Sequence, residues 1–325
     1  MKRLFSVLTV CALGATASAS DLDLRIESGG QTTLTVSPGQ TLTYDVVGEL
    51  TDSLNEGLAL FTIDLGMPGA TLTAAGAPTS TNMLNFASPL GLTNPAGFGG
   101  TQTGTTLKQV GGMQNTLKNS FAPVPTGSVI MGIAQPGTPE LLVTGQVVLP
   151  TVSGTYTLSG SNVLANIIRQ GESGSPTWMV DAAGVGSSTP LTVTVESLST
   201  DTNSLSLSAG GTVNFTLDGG LGSANQLYLM LGSATGTVTG IPVDGLTLAL
   251  SFDSFFTYML THPNQAPYSN TLGVLNGGGL GSSTLTLPAG SFPGLAGTTL
   301  DHAYIVLTGG LVTLTSNPTS LTLLL

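Results

Sequence analysis

Apolar residues recur at every second position along this chain, in short runs closed by glycine and proline. Thr41–Val47 reads T-L-T-Y-D-V-V, with Leu42, Tyr44 and Val46 on one side. Val213–Leu217 and Ser282–Leu287 follow the same rule. A period of two puts successive side chains on opposite faces of an extended strand, one toward a core and one toward water. Pro38-Gly39, Pro68-Gly69, Pro136-Gly137, Gly277-Gly278-Gly279 and Pro293-Gly294 punctuate the runs as turns. No amphipathic pattern of helix length interrupts them. The chain is therefore expected to be all-β, in two β-sandwich domains.

The first twenty residues are expected to be a signal peptide. Lys2 and Arg3 lead into the apolar run Leu4–Leu13, and small residues follow from Ala15 to Ser20. That order is the pattern of a cleaved secretory leader. The apolar middle is too short to span a bilayer, which takes about 20 residues, so no transmembrane segment is expected in the mature chain. Cleavage is placed between Ala19 and Asp21. Cys11, the single cysteine, leaves with the leader, which excludes disulfides and thiol chemistry from the mature protein.

Charge is sparse and acidic. Without Lys2 and Arg3, four basic residues (Arg25, Lys108, Lys118, Arg169) face 17 acidic ones. A nucleic-acid binder needs a basic footprint, and none is present. With 7% charged residues, the surface must be covered by Thr, Ser, Asn and Gly.

A domain boundary is expected at Glu196–Asn203. Leu191–Val195 reads as a closing strand, E-S-L-S-T-D-T-N as a short polar linker, and strand signals restart at Leu205. The expected units are residues 21–197 and 198–325. Within the first, Met83–Pro125 is rich in Gly, Asn, Thr and Pro, and is expected to hold short strands between long loops.

The framework strands of the first unit are L-T-V-S-P-G-Q-T-L-T-Y-D-V (Leu34–Val46), G-L-A-L-F-T-I-D-L (Gly57–Leu65), E-L-L-V-T-G-Q-V-V-L-P (Glu140–Pro150) and G-T-Y-T-L-S (Gly154–Ser159). They resemble the cohesin-like, carbohydrate-binding-module-like sandwich. The resemblance implies a jelly roll, and in cohesins one sheet face binds a dockerin; no dockerin-contacting residue carries over by position. The second unit offers L-S-A-G-G-T-V-N-F-T-L-D-G-G (Leu207–Gly220), Y-L-M-L-G-S (Tyr228–Ser233), G-I-P-V-D-G-L-T-L (Gly240–Leu248) and H-A-Y-I-V-L (His302–Leu307). It is similar to a C-terminal module of secreted planctomycete-type proteins, with an Ig-like or related sandwich and no implied activity.

Site chemistry is thin. His262 and His302 are not spaced as metal ligands, and alternation places His302 with Tyr304 and Val306, a structural histidine. Asp21, Asp23 and Glu27 cluster in sequence, as do Glu49, Asp52 and Glu56. Oxygen-rich loops of this kind can hold calcium, although neither fits the twelve-residue calcium loop. No Gly-x-Ser-x-Gly is present, and nothing selects a carboxylate pair for glycoside hydrolysis. No catalytic residue, metal or cofactor is assigned. A ligand platform is sought among Trp178, Tyr258 and Tyr268. Trp178 near Arg169 and Glu172 could stack on a sugar or close a sheet edge, the commoner fate of a large aromatic. Tyr258 and Tyr268 flank T-H-P-N-Q-A-P. The sequon Asn214-Phe215-Thr216 is idle in a bacterial host.

The expected function is a secreted, non-catalytic structural or adhesive protein of the cell surface or extracellular matrix. Its partner would be an extracellular protein or a polysaccharide. Carbohydrate binding by the first domain is the alternative, and a hydrolase with an unrecognised acid pair the third reading.

Overall fold

The computed structural model describes residues 20–73, 86–87, 99–114, 133–170 and 178–325, with the side chains of 86–87, 113–114, 169–170 and 178–180 outside the description. The strands in chain order are β1 (Asp21–Glu27), β2 (Thr33–Val36), β3 (Thr41–Leu50), β4 (Leu58–Gly66), β5 (Thr71–Leu72), β6 (Phe86–Ala87), β7 (Thr101–Thr103), β8 (Thr106–Gln114), β9 (Glu140–Val148), β10 (Gly154–Gln170), β11 (Trp178–Ala182), β12 (Gly184–Thr189) and β13 (Leu191–Val195). They are followed by β14 (Leu198–Thr200), β15 (Ser204–Ser206), β16 (Gly211–Asp218), β17 (Leu227–Ser233), β18 (Ile241–Val243), β19 (Leu246–Leu248), helix α1 (Ser254–Thr261), β20 (Tyr268–Ser269), β21 (Leu272–Val274), β22 (Leu280–Leu287), β23 (Thr299–Thr308), β24 (Leu311–Thr315) and β25 (Thr319–Leu324).

The first sandwich packs the sheet β12-β1-β3-β9-β5 against β2-β13-β10-β4-β8-β6. Its core is written by alternation. Leu22, Leu24 and Ile26 of β1, Leu42, Tyr44 and Val46 of β3, and Phe61, Ile63 and Leu65 of β4 all point inward and are buried. Tyr44 lies across Gly145, its cross-strand partner on β9; a side chain at 145 would collide with the ring. Burying a ring or leucine of this size contributes roughly 2–3 kcal/mol.

The second sandwich packs β14-β16-β22-β20 against β15-β25-β23-β17-β21, with β24 continuing along β23. Val213, Phe215 and Leu217 face Met230, Tyr304 and Val306 across it. The β18–β19 hairpin carries Leu248 into the same core. The two cores share no member: one runs from Leu22 to Val195, the other from Leu198 to Leu323.

Two local expectations are corrected. Leu198–Thr200, read as linker, is a strand, because Leu198 is fully buried and pairs with Leu217. The sequence also showed no helix, yet α1 is helical over eight residues. Asp253 caps its N-terminus through Phe256 N, and Phe256 and Met259, three apart, turn into the core. A run this short lies below the length at which helical periodicity stands out. Most of Met83–Pro125 lies outside the described residues; the described part holds β6, β7 and β8, with β6 and β7 each paired to β8.

Candidate functional site: the domain seam and its hydroxyl face

The connector between the cores is two residues, Glu196 and Ser197, and its backbone is tied to both sandwiches. Glu196 N donates to Val36 O (3.0 Å), and Ser197 O accepts from Asp218 N (2.8 Å). Asn317, between β24 and β25, copies a strand edge with its amide. Its Oδ1 accepts from Ser197 N (2.8 Å) and Leu198 N (3.0 Å), while Nδ2 donates to Leu198 O (2.7 Å). Ser197 Oγ also shares a hydrogen bond with Ser153 Oγ of the first sandwich (2.7 Å).

The Pro38-Gly39 turn between β2 and β3 reaches across to the loop that follows β16. Ser37 Oγ donates to Asp218 Oδ2 (2.6 Å), and Asp218 Oδ1 accepts from Gly220 N (2.9 Å). Gly220 (φ 69°, ψ 171°) sits in backbone space that glycine alone enters readily, and a side chain there would overlap the Pro38 carbonyl. Gly279 packs as closely on Gly220 from the other side.

This contact divides two hollows that share Ser37, Gln40 and Asp218. The smaller, about 270 Å³, is lined by Thr35, Ser37, Gln40, Glu196, Ser199, Thr216 and Asp218 among others. The larger, about 580 Å³, has the apolar rim Pro38, Leu221 and Leu280. No basic side chain lines either. Tyr304 is buried close to Ser197 and Asp218; burial drives its hydroxyl pKa upward and the Asp218 charge adds to this.

The smaller hollow opens onto the outer face of β14-β16-β22-β20. Pairing sets polar side chains there in rows: Ser199, Thr216 and Ser282; Asn214, Thr284 and Ser269; Thr212 and Thr286. Thr212 and Thr286 share a hydrogen bond (3.0 Å), and Asp201 receives the backbone and side-chain N–H of Asn214 (3.0 and 2.6 Å). Neighbours in a row are about 4.8 Å apart, and rows about 6.8 Å apart, by strand geometry. These eight side chains are neutral, and each can donate and accept hydrogen bonds.

The three expected platform residues do not form one surface. Tyr268 is a correction: it is buried, and its hydroxyl pairs with His302 Nε2 at 2.8 Å in the second core. Alternation against Leu285 on β22 turns its ring inward. Tyr258 is 37% exposed, stacks on His262 (centroids 4.9 Å, planes 17° apart) and donates to Ala266 O (3.2 Å). Trp178 pairs through its backbone with Gln170, and its side chain lies outside the described residues. Glu172 lies outside them entirely.

His302 is fully buried, with its ring 4.7 Å from Phe215, and burial pushes its pKa down to about 3, the Leu300 backbone opposing weakly. The acidic clusters are rearranged by pairing. Asp23 stands opposite Glu49, and Glu27 opposite Asp45, with Arg25 bound to Glu27 (2.5 Å). Asp23 accepts from Ser187 N (2.5 Å), Glu49 from Gly137 N (2.5 Å) and Asp52 from Leu54 N (2.9 Å). Among the described residues no three His, Asp or Glu side chains converge as a metal-ligand set. The seam residues Ser37, Gln40, Thr216 and Asp218 were not found from sequence. Their only signals are the turn glycines Gly39 and Gly220, which mark loops without saying that the two loops meet.

No protein-family model matches the chain, and comparison with curated proteins finds no match. Among solved structures, the seventh ScaB type I cohesin from Pseudobacteroides cellulosolvens is similar over 54% of this chain and 92% of its own, at 10% identity and a TM-score of 0.34. The non-cellulosomal cohesin from the hyperthermophilic archaeon Archaeoglobus fulgidus is similar over 55% of this chain and 92% of its own, at 12% identity and 0.30. BcpA, the major pilin subunit of Bacillus cereus, is similar over 93% of this chain and 65% of its own, at 9% identity and 0.30.

Proposed function

We propose that this is a non-catalytic structural or adhesive protein, exported to the cell surface or extracellular matrix, with one domain on each side of Glu196–Ser197. The observation that supports the reading is the seam. A two-residue connector bound by Asn317 and Ser153, the Ser37–Asp218 bond and the close Pro38–Gly220 approach hold two sandwiches in one relative orientation. Enzymes that close on substrate between domains need a hinge whose backbone can absorb the motion. Here the joining peptide groups are spent on holding position, which suits a rigid spacer or binding rod.

The test is fractionation of cells producing the full chain, with an adhesion assay of cells with and without it. The expected result is protein at the surface or in the medium, starting near Asp21, and weaker adhesion in its absence. Retention inside the cell with Met1 intact would overturn the export reading. Release of products from a polymer by the purified chain would overturn the non-catalytic one.

A further inference from the structure

We infer that the smaller seam hollow, with the hydroxyl face that runs out of it, is a binding site for a neutral polysaccharide. The inference rests on the reading of this chain as a non-catalytic binder, and it moves sugar recognition from the first domain to the seam and the second sandwich.

Chemistry selects the class. The hollow offers the hydroxyls of Ser199 and Thr216, the Gln40 amide and the Glu196 carboxylate, beside the Ser37 hydroxyl and Asp218 carboxylate that are already bonded to each other. A polyol has hydroxyls that donate and accept in the same group, which matches this set; a carboxylate takes two of them at once. The face continues the match in rows, from Thr216 and Ser282 to Asn214 and Thr284, then Thr212 and Thr286. An anionic polymer would meet the carboxylates of Glu196 and Asp218 in the hollow and Asp201 beside Asn214 on the face, with no basic side chain lining the hollow. A protein partner would seek aromatic or apolar anchors at the centre of the interface, and the rows provide none; the apolar rim of Pro38 with the exposed Leu221 and Leu280 belongs to the other hollow.

Size agrees. About 270 Å³ lies just below the range of small-ligand pockets, which start near 300 Å³, so the hollow takes about one sugar ring while the rest of the chain lies on the rows.

The site is composite. Thr35, Ser37 and Gln40 come from the first sandwich, Ser199, Thr216 and Asp218 from the second, and the Ser37–Asp218 bond is the wall between the hollows. Binding therefore depends on the locked seam, and a fixed site spares the ligand the ordering cost that a hinged one would impose.

The experiment uses the chain from Asp21 to Leu325 in affinity electrophoresis. Gels contain a soluble β-glucan, a mannan, dextran or, as the anionic probe, polygalacturonate, each with and without a calcium chelator. At least one neutral polymer is expected to retard the protein, polygalacturonate is not, and the chelator changes nothing. Thr216→Val should weaken retardation about tenfold at unchanged melting temperature; Gln40→Ala should weaken it as much while also removing the acceptor of Ser37 N. Thr313→Val, an exposed hydroxyl on the opposite sheet, should leave it intact. Equal retardation of all variants, loss on chelation, or no retardation of the folded protein by any neutral polymer would overturn the site. If the last result comes with surface adhesion intact, this inference fails while the proposed function stands.

Discussion

Gly220 of the second sandwich lies against the carbonyl of Pro38 of the first, so closely that the contact has no room for a Cβ. The positive φ of Gly220 is what lets two backbones meet there with no side chain between them, and Gly279 completes the stack.

Replacing Gly220 with alanine therefore combines a forbidden backbone conformation with a steric overlap. Each effect costs on the order of 1–3 kcal/mol. Gly220→Ala should lower stability by at least about 2 kcal/mol in urea unfolding. It should also separate the unfolding of the two sandwiches if the seam couples them. A variant as stable as the parent would show that the loops part without cost.

His302 should make the second sandwich sensitive to acid. Its pKa is about 3 in the fold against 6.5 when exposed. Above pH 6.5 both states hold a neutral imidazole and the full stability is present. As pH falls from 6.5 toward 3, the unfolded chain takes up a proton that the buried ring refuses, and stability drops by up to about 1.4 kcal/mol per pH unit. The urea midpoint at pH 5 should fall relative to pH 7.5, and His302→Gln, which stays neutral, should flatten that difference. An identical pH slope in the variant would remove His302 as the cause.

Asp253 gathers five donors. Oδ2 accepts from Ser233 Oγ, Ala234 N, Thr235 N and Thr235 Oγ1, and Oδ1 accepts from Phe256 N at the start of α1. Burial alone would raise its pKa, but the donors outweigh burial and hold it below the ordinary value. Asp253→Ala leaves these groups without their acceptor and should cost roughly 2–4 kcal/mol, with loss of the small helical signal in circular dichroism. Because the folded pKa is lowered, the contribution of Asp253 is present above the ordinary carboxylate pKa and is lost as pH falls below it.

Asn317 should matter by its amide rather than its size. Asn317→Asp keeps the acceptor for Ser197 N and Leu198 N but loses the donor to Leu198 O and sets a carboxylate against that carbonyl. A loss of about 1–3 kcal/mol is expected in thermal melts, larger than for Asn→Asp at exposed Asn225, which no hydrogen bond through its side chain ties to the seam. Equal losses at the two positions would mean that the staple is not stabilising.

The strands of both sandwiches were legible in sequence because alternation is local: Leu42, Tyr44 and Val46 declare their common face without knowing what covers it. The same pattern placed His302 in the interior beside Tyr304. The inward turn of Tyr268 is not legible in sequence because its strand is two residues long, and only pairing with Leu285 decides which way its ring turns. Helix α1 is not legible in sequence because its cap and its two core contacts are too few to form a period. The seam was illegible for a different reason. Ser37 and Asp218 are 181 residues apart, and their meeting depends on how two finished sandwiches dock. The rows of Thr, Ser and Asn likewise exist only through register: each strand wrote its own outward hydroxyls, and backbone hydrogen bonding between strands set Thr212 beside Thr286 and Asn214 beside Thr284.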